Sequence, residues 1–288
     1  MIPILFRVGP ITVYSYGLMM ALGFIGAALV LASECRRRRI DTGYASTLAI
    51  WASLAGLVGA RVWDVFNDFQ LYAQHPLSII FSSSGFVWYG GFIGGFAAMY
   101  LVARRNRVRF LTTLDMAAPA ALVGHAFGRM GCLLSGDGDW GLPTKMPWGM
   151  AFPHAIVGWD SQTVLKLNAH GQLVSGFYPG VRVQPAPILE AVLYVAIALF
   201  LLWTMRKHAW ADGRIFYLFL ILSGGARFLV EFWRINPRVL WGLTEPQLFS
   251  ILMIITGAAA LVFGWIGVPE GAAKKIAEKK RVRARSTP

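Results

Sequence analysis

The sequence predicts an all-α fold, a polytopic helical bundle that spans a membrane. Of the 288 residues, 56% are hydrophobic and only 14% are charged. Soluble domains usually carry about 25% charged residues, so this chain has too little polar surface to face water on all sides. The apolar residues form long runs, and short basic clusters separate these runs. Such spacing is typical of membrane helices with orienting charges in their loops.

Seven apolar stretches are long enough to span, because a helix needs about 20 residues to cross roughly 30 Å of hydrocarbon. We predict spans near residues 13–33, 45–66, 85–103, 110–133, 187–205, 215–233 and 246–267. Four arginines follow the first stretch directly, so we interpret it as a span and not as a cleaved signal peptide. Residues 1–268 are expected to form one membrane domain, with a small cap at 134–185 outside the membrane and a basic cytoplasmic tail at 269–288.

Arginine and lysine are divided unevenly between the two sets of predicted loops. One side holds 18 of the 27 basic residues, namely Arg36, Arg37, Arg38, Arg39, Arg104, Arg105, Arg107, Arg109, Arg206, Lys207, Arg214, Lys274, Lys275, Lys279, Lys280, Arg281, Arg283 and Arg285. The other side holds six, namely Arg7, Lys145, Lys166, Arg182, Arg234 and Arg238. Cytoplasmic loops carry such an excess, so the C-terminus is predicted in the cytoplasm and the N-terminus outside. The net charge of +13 therefore indicates orientation, and no nucleic-acid partner is expected.

Three arginines lie inside or at the ends of the predicted spans: Arg61, Arg129 and Arg227. An ionisable side chain in a span is costly, so it usually faces the bundle interior and marks a functional site. Arg61 follows the small-residue run 56–60, which permits a close helix contact. Arg129 lies among glycines and could reach the outer surface or bind a ligand.

A second charged group follows Arg227 at helical spacing. Glu231 lies four residues later, on the same helix face, and Arg234 lies about one turn further on. One interpretation is a structural buried ion pair. The other is a fork of guanidinium groups for a phosphate, in which Glu231 orients Arg227.

Other polar residues have a structural and a functional interpretation. His125 shares a helix face with Arg129, and it could be a hydrogen-bonded core residue or a proton carrier. Tyr16 and Tyr89 lie near outer ends of spans, where tyrosines often anchor a helix at the head groups. Asp137 and Asp139 resemble a fragment of a calcium loop, but the rest of that loop is missing, so no metal is predicted.

Several segments in order resemble the prolipoprotein diacylglyceryl transferase family. The similarity covers about residues 8 to 265. It is carried by Gly9-Pro10 with Tyr16-Gly17-Leu18-Met19, Gly59-Ala60-Arg61, Tyr89-Gly90-Gly91, Gly128-Arg129-Met130-Gly131 continuing through Gly136-Asp137 and Gly141 to Pro153, Arg227 through Arg234, and Leu243-Thr244 with Gln247.

The resemblance implies a seven-span enzyme of the bacterial inner membrane, with its N-terminus in the periplasm and no metal or cofactor. Its substrates would be phosphatidylglycerol, a membrane lipid, and the lipobox cysteine in the signal peptide of a prolipoprotein. The resemblance makes Arg129 and Arg227 phosphate ligands and places Tyr16 and Glu231 in the same site. Arg61, Gly131, Asp137, Gly141 and Arg234 are the remaining candidates for phospholipid binding.

The chain also departs from the family pattern. Tyr89 stands where many members have a histidine, Cys132 replaces an asparagine, and Asp137 replaces a glutamate. Gln184 and Leu189 replace a histidine and a tyrosine, whereas Glu190 remains. These changes leave the general base open among His125, Tyr89 and Asp137.

Two other functions fit the same sequence. A transporter or flippase could bind an anionic lipid through its buried arginines, and a non-catalytic homologue could bind lipid alone. A transporter is expected to show two similar halves, whereas the charged residues here are concentrated towards one leaflet.

The charge asymmetry predicts the topology. At Ser286 a fused fluorescent protein should fluoresce and fused alkaline phosphatase should be inactive, because this position is predicted in the cytoplasm. At Gly171 the result should be the reverse, because this position is predicted outside. Paired alkaline phosphatase and fluorescent-protein fusions at both sites would measure this. Periplasmic activity at Ser286 would contradict the orientation.

Overall fold

The computed structural model describes residues 2–9, 11–67, 69, 87–152, 165–166, 173–174, 182–208 and 210–264. The described helices are α1 (Ser15–Arg38), α2 (Thr42–Asn67), α3 (Trp88–Arg105), α4 (Phe110–Ser135), α5 (Ala186–Lys207), α6 (Arg214–Val230), a 3₁₀ helix (Glu231–Trp233) and α7 (Glu245–Val262). The strands are β1 (Ile4–Val8), β2 (Ile11–Tyr14), β3 (Leu165–Lys166), β4 (Leu173–Val174), β5 (Arg238–Leu240) and β6 (Leu243–Thr244), paired antiparallel in chain order.

The long helices confirm the predicted helical membrane class. Each predicted span coincides with one of α1 to α7, and six of these helices are long and apolar enough to cross a membrane. Helix α3 is not among the six, because four glycines, two tyrosines and two terminal arginines dilute its apolar residues. Most of the predicted cap beyond residue 152 and the tail after residue 264 lie outside the described residues.

Short hairpins flank two of the helices and were not predicted. The chain enters α1 through the β1–β2 hairpin, so the helix begins at Ser15 and not at residue 13. The β5–β6 hairpin precedes α7, and its turn residues Trp241 and Gly242 have φ of 49° and 74°. Two successive positive φ values are typical of tight hairpin turns.

The chain divides into two compact units, one comprising residues 1–27 and 117–288 and the other residues 28–116. In the first unit, α4, α5 and α6 share an apolar core that includes Leu122, Tyr194, Leu201 and Ile215. A second apolar cluster of this unit joins the end of α4 to the loop that follows it and is built on Leu133, Trp140, Phe152 and Val183.

The second unit is held by a close contact between α2 and α3. Gly59 of α2 and Gly94 of α3 approach so closely that a Cβ on either would lie 3.3 Å from the other's Cα. Small residues at such a crossing let two backbones approach in a membrane, where van der Waals packing drives helix association. Tyr44 and Thr113, both buried, add a hydrogen bond of 2.6 Å between their hydroxyl groups.

This contact predicts that alanine substitution of two neighbouring glycines of α3 affects stability differently. A Cβ at Gly94 would overlap the carbonyl oxygen of Ala55, whereas a Cβ at Gly95 would meet its nearest neighbour at 3.4 Å. We expect Gly94→Ala to lower the melting temperature in detergent by several degrees. Gly95→Ala should leave it unchanged or raise it slightly, because alanine is the better helix former by about 1 kcal/mol. Equal melting temperatures for the two variants would contradict the close contact.

Candidate active site

Six ionisable side chains of the first unit meet where α4, α5 and the end of α6 converge. This set, called the arginine cluster below, consists of Arg129, Asp139, Glu190, Arg227, Glu231 and Arg234. Three guanidinium groups face three carboxylates, so the cluster has no net formal charge. Mutual pairing is required here, because an unpaired charge is expensive to bury in an apolar bundle.

Glu190 lies at the centre of the cluster, and its side chain is fully buried. Its Oε1 accepts a hydrogen bond of 2.8 Å from Nη1 of Arg227 and one of 3.1 Å from the hydroxyl of Tyr194. Its Oε2 lies 2.9 Å from Nε of Arg129 and 3.6 Å from Nη1 of Arg234. One carboxylate on α5 therefore contacts all three arginines.

Glu190 was absent from the predicted site residues, although a signal for it was present. It is an ionisable residue inside the predicted span 187–205, so the argument that singled out the arginines applied to it equally. Its three partners lie 37 to 61 positions away in the chain. No local spacing could therefore indicate which charges it joins.

Glu231 ties the cluster to the start of α7. Its Oε2 lies 3.1 Å from Nη2 of Arg227, so the pair expected from the four-residue spacing forms. Its Oε1 accepts a hydrogen bond of 3.0 Å from the hydroxyl of Thr244. Thr244 is also the N-cap of α7, where it forms a capping box with Gln247. The cap and the ion pair therefore hold the ends of α6 and α7 together.

Asp139 closes the cluster from the loop between α4 and the cap. One carboxylate oxygen accepts a hydrogen bond from Nη1 of Arg129, and the other accepts one from Nη2 of Arg234. Burial raises the pKa of Asp139, but Arg234 and Arg129 outweigh this effect and hold the pKa below its ordinary value. Asp139 is therefore a carboxylate that bridges two guanidinium groups. The sequence indicated it only as part of a calcium-loop fragment.

Glycines allow the Asp139 loop to reach the arginines. Gly136 and Gly138 have φ of 64° and 93°, which few other residues adopt. Gly141 donates a backbone hydrogen bond of 2.8 Å to the carbonyl of Gln184. A Cβ at Gly141 would lie only 2.7 Å from Cβ of Gln184. Gly141, a predicted site residue, therefore contributes by allowing the loop to pack closely against Gln184.

Several buried nitrogen atoms of the cluster retain hydrogen-bonding capacity. Nε of Arg129 and both Nε and Nη1 of Arg234 have no aligned hydrogen-bond acceptor among the described residues. They are paired by charge, but the geometry of those pairs falls short of a hydrogen bond. Buried donors of this kind are suited to an anionic acceptor whose oxygens are better aligned with them.

Tyr16 and Gly131 lie beside the cluster at the contact between α1 and α4. A Cβ at Gly131 would lie 3.1 Å from Cδ2 of Tyr16, so glycine permits this close approach. Cys132, the next residue, accepts a contact of 3.8 Å from Nη1 of Arg129. Tyr16 itself is about two-fifths exposed.

His125 lies one turn before Arg129 on α4 and is exposed. Its ring centroid is 4.7 Å from that of Tyr194, whose hydroxyl donates to Glu190. His125 is therefore linked to the cluster through one intervening side chain.

The remaining predicted site residues have other surroundings. Arg61 and Tyr89 belong to the second unit, where Arg61 lies 3.7 Å from Asp64 and the ring of Tyr89 is 6.4 Å from that of Trp63. Asp137 accepts a hydrogen bond from the backbone of Asp139. Cys132, Asp137 and Asp139 offer ligand atoms within 4.8 Å of one another, but the two guanidinium groups on Asp139 disfavour a cation there.

Comparison with known proteins agrees with this architecture. The family model described as prolipoprotein diacylglyceryl transferase matches residues 3–263. A Clostridium tetani protein is 31% identical over 257 residues, covering 88% of this chain and 94% of its own length. Proteins from Xanthomonas oryzae and Bordetella parapertussis are 32% and 33% identical, covering 90% and 91% of this chain and 90% and 94% of their own lengths.

All three relatives carry the name phosphatidylglycerol–prolipoprotein diacylglyceryl transferase. The match of the family model extends from the β1 hairpin to the end of α7 and includes every residue of the arginine cluster. This chain, a multi-pass membrane protein, belongs to the prolipoprotein diacylglyceryl transferase family.

Proposed function

We propose that this chain transfers the diacylglyceryl group of phosphatidylglycerol to the lipobox cysteine of a prolipoprotein. The observation that carries the proposal is the convergence of Arg129, Arg227 and Arg234 on one buried carboxylate. Three guanidinium groups so placed suit a phosphodiester, because the planar N–H fork of a guanidinium group can pair with two phosphate oxygens.

The charge change of the reaction fits this cluster. The acceptor sulfur forms a bond to the terminal glycerol carbon of the diacylglyceryl group, and the bond from that carbon to the phosphate oxygen breaks. The electron pair stays with the departing glycerol phosphate, so its phosphate gains one negative charge. Guanidinium groups held in place before the reaction stabilise that charge without reorganisation.

Glu190 and Glu231 act as positioning residues in this scheme. Arg227 is fixed between their two carboxylates at 2.8 and 3.1 Å, so its guanidinium group has little freedom to turn away. Such restraint lowers the entropy cost of binding the phosphate in the transition state.

The acceptor thiol must lose its proton, and an ordinary thiol pKa near 8.5 means that modest help suffices. His125 is supported by its place one turn from Arg129 and against Tyr194. Tyr89 and Asp137 remain alternative bases. Tyr16, Gly131 and Gly141 complete the proposed site of the first unit, and Arg61 remains a candidate phospholipid ligand on the family resemblance alone.

The proposed compartment is the bacterial inner membrane, with the N-terminus periplasmic and the C-terminus cytoplasmic. The direct test of function uses purified protein in detergent, radiolabelled phosphatidylglycerol and a lipobox peptide. Label carried in the glyceryl backbone of the diacylglyceryl group should appear on the peptide and resist hydroxylamine, because hydroxylamine cleaves esters and thioesters but not a thioether. A peptide with serine in place of cysteine is the control. Lipid binding without transfer would contradict the enzymatic function, and lipid movement across vesicles without transfer would favour a flippase.

Arg227 provides the first test of the site. Arg227→Ala should lower kcat/KM for lipid by about 10²-fold or more, because it removes charge stabilisation at the leaving group. Arg227→Lys should recover only part of the rate, since an ammonium group lacks the planar fork. Arg238→Ala is the matched control, because Arg238 is exposed and donates to a carbonyl of its own hairpin. Transfer by Arg227→Ala at the parent rate, with equal amounts of folded protein, would refute the phosphate clamp.

The pH dependence tests the base. If His125 accepts the thiol proton, His125→Gln should lower the rate by about 10²- to 10⁴-fold near neutral pH. The loss should shrink as pH approaches the thiol pKa, because solvent then supplies the thiolate. Tyr89→Phe should show this pattern instead if Tyr89 is the base. Full activity of both variants across the pH–rate profile would exclude both and favour either Asp137 or the positive field of the arginines alone.

A further inference from the structure

Asp139 forms ion pairs with Arg129 and Arg234 in the way that a phosphate would. Its two carboxylate oxygens contact two different guanidinium groups, one from α4 and one from the residue after the 3₁₀ helix. Two non-bridging oxygens of a phosphate, carried on one atom, can span the same pair of donors. A lipid phosphate and Asp139 therefore require the same N–H groups.

Asp139 is also the carboxylate of the cluster that is easiest to displace. Its side chain is 30% exposed, whereas the side chains of Glu190 and Glu231 are fully buried. Those two lie on helices and accept further hydrogen bonds from Tyr194 and Thr244. Asp139 lies on the loop after α4, so rotation about its own side-chain bonds can release its carboxylate while the helices and the Gly141–Gln184 contact stay in place.

Charge balance favours an exchange over simple addition. The cluster is neutral with all six side chains in place, so a phosphodiester that joined it would leave one uncompensated negative charge. The side chains of Arg129 and Arg234 are 16% and 4% exposed, and an excess charge is poorly solvated there. If Asp139 leaves as the phosphate arrives, the three arginines, the two glutamates and the phosphate together keep a net charge of zero.

We propose that Asp139 competes with the phosphate of the lipid and of the product for Arg129 and Arg234, and so determines how tightly this site holds both. The proposal rests on the proposed function. Its consequence is greatest after transfer, because the released glycerol phosphate carries a second negative charge and would otherwise stay on three arginines. Return of Asp139 to the guanidinium groups assists release of the product and readies the site for new lipid.

The kinetic test compares the parent with Asp139→Asn, which keeps the size of the side chain and removes its charge. KM for phosphatidylglycerol and Ki for glycerol phosphate should both fall, by roughly 3- to 30-fold, as expected for loss of one competing charge-assisted contact. The rate constant kcat should fall as well, because product release slows. Asp139→Glu retains the charge and should keep KM and Ki within about threefold of the parent.

Glu245→Gln is the matched control for loss of one carboxylate, since Glu245 is exposed in the first turn of α7. Its KM and Ki should equal those of the parent. If Asp139 merely held the arginines in place, Asp139→Asn would raise KM and Ki or leave both unchanged, and either result would overturn the proposal.

A binding measurement separates this inference from the proposed function. Glycerol phosphate is titrated against purified protein without lipid or peptide, and the shift in melting temperature gives its affinity. Asp139→Asn should bind it more tightly than the parent at the same ionic strength. Tighter binding with no lipid transfer by the parent would refute the function but support the competition. Transfer by the parent with equal or weaker binding by Asp139→Asn would refute the competition alone.

Discussion

The buried carboxylate of Glu190 is the constraint on which the first unit depends. A charge on α5 with no exposed surface must be compensated, and the compensation comes from arginines on α4, on α6 and after the 3₁₀ helix. Removal of one member of such a group is costly, because it leaves an opposite charge buried without a partner. The same pairing that stabilises the helix packing therefore places Arg129, Arg227 and Arg234 around one point, which is the proposed binding site of the lipid phosphate.

Contacts from the surrounding elements hold the charged residues of the arginine cluster in place. Thr244 caps α7 and donates to Glu231, so the start of one helix is coupled to the charged end of another. Gly141 brings the loop against Gln184, and that contact holds Asp139 near the arginines. The Thr244–Glu231, Gly141–Gln184 and Asp139–Arg234 contacts are polar, and they join residues 13, 43 and 95 positions apart. The site is consequently assembled by hydrogen bonds at helix ends, while the apolar core sets only the spacing of the helices.

Departures from the family pattern are accommodated without loss of the charged cluster. Gln184, which stands where many members have a histidine, accepts a hydrogen bond from Nε1 of Trp148 and donates one to Thr144. It therefore ties the segment 144–148 to the start of α5. Cys132 lies at the edge of the cluster, 3.8 Å from Nη1 of Arg129. The groups proposed to bind phosphate are thus retained, and the variation affects residues around them and the candidate bases.

The sequence by itself determined the membrane class, the seven helices and the pairing of Arg227 with Glu231, because hydropathy and helical spacing are local properties. Its helix ends were less accurate, since hairpins and a 3₁₀ turn depend on single φ values that hydropathy does not encode. Only the tertiary structure decided that Glu190 and Asp139 join the arginines. Those contacts connect segments up to 95 residues apart. They arise because buried charges must find partners wherever helix packing brings them together.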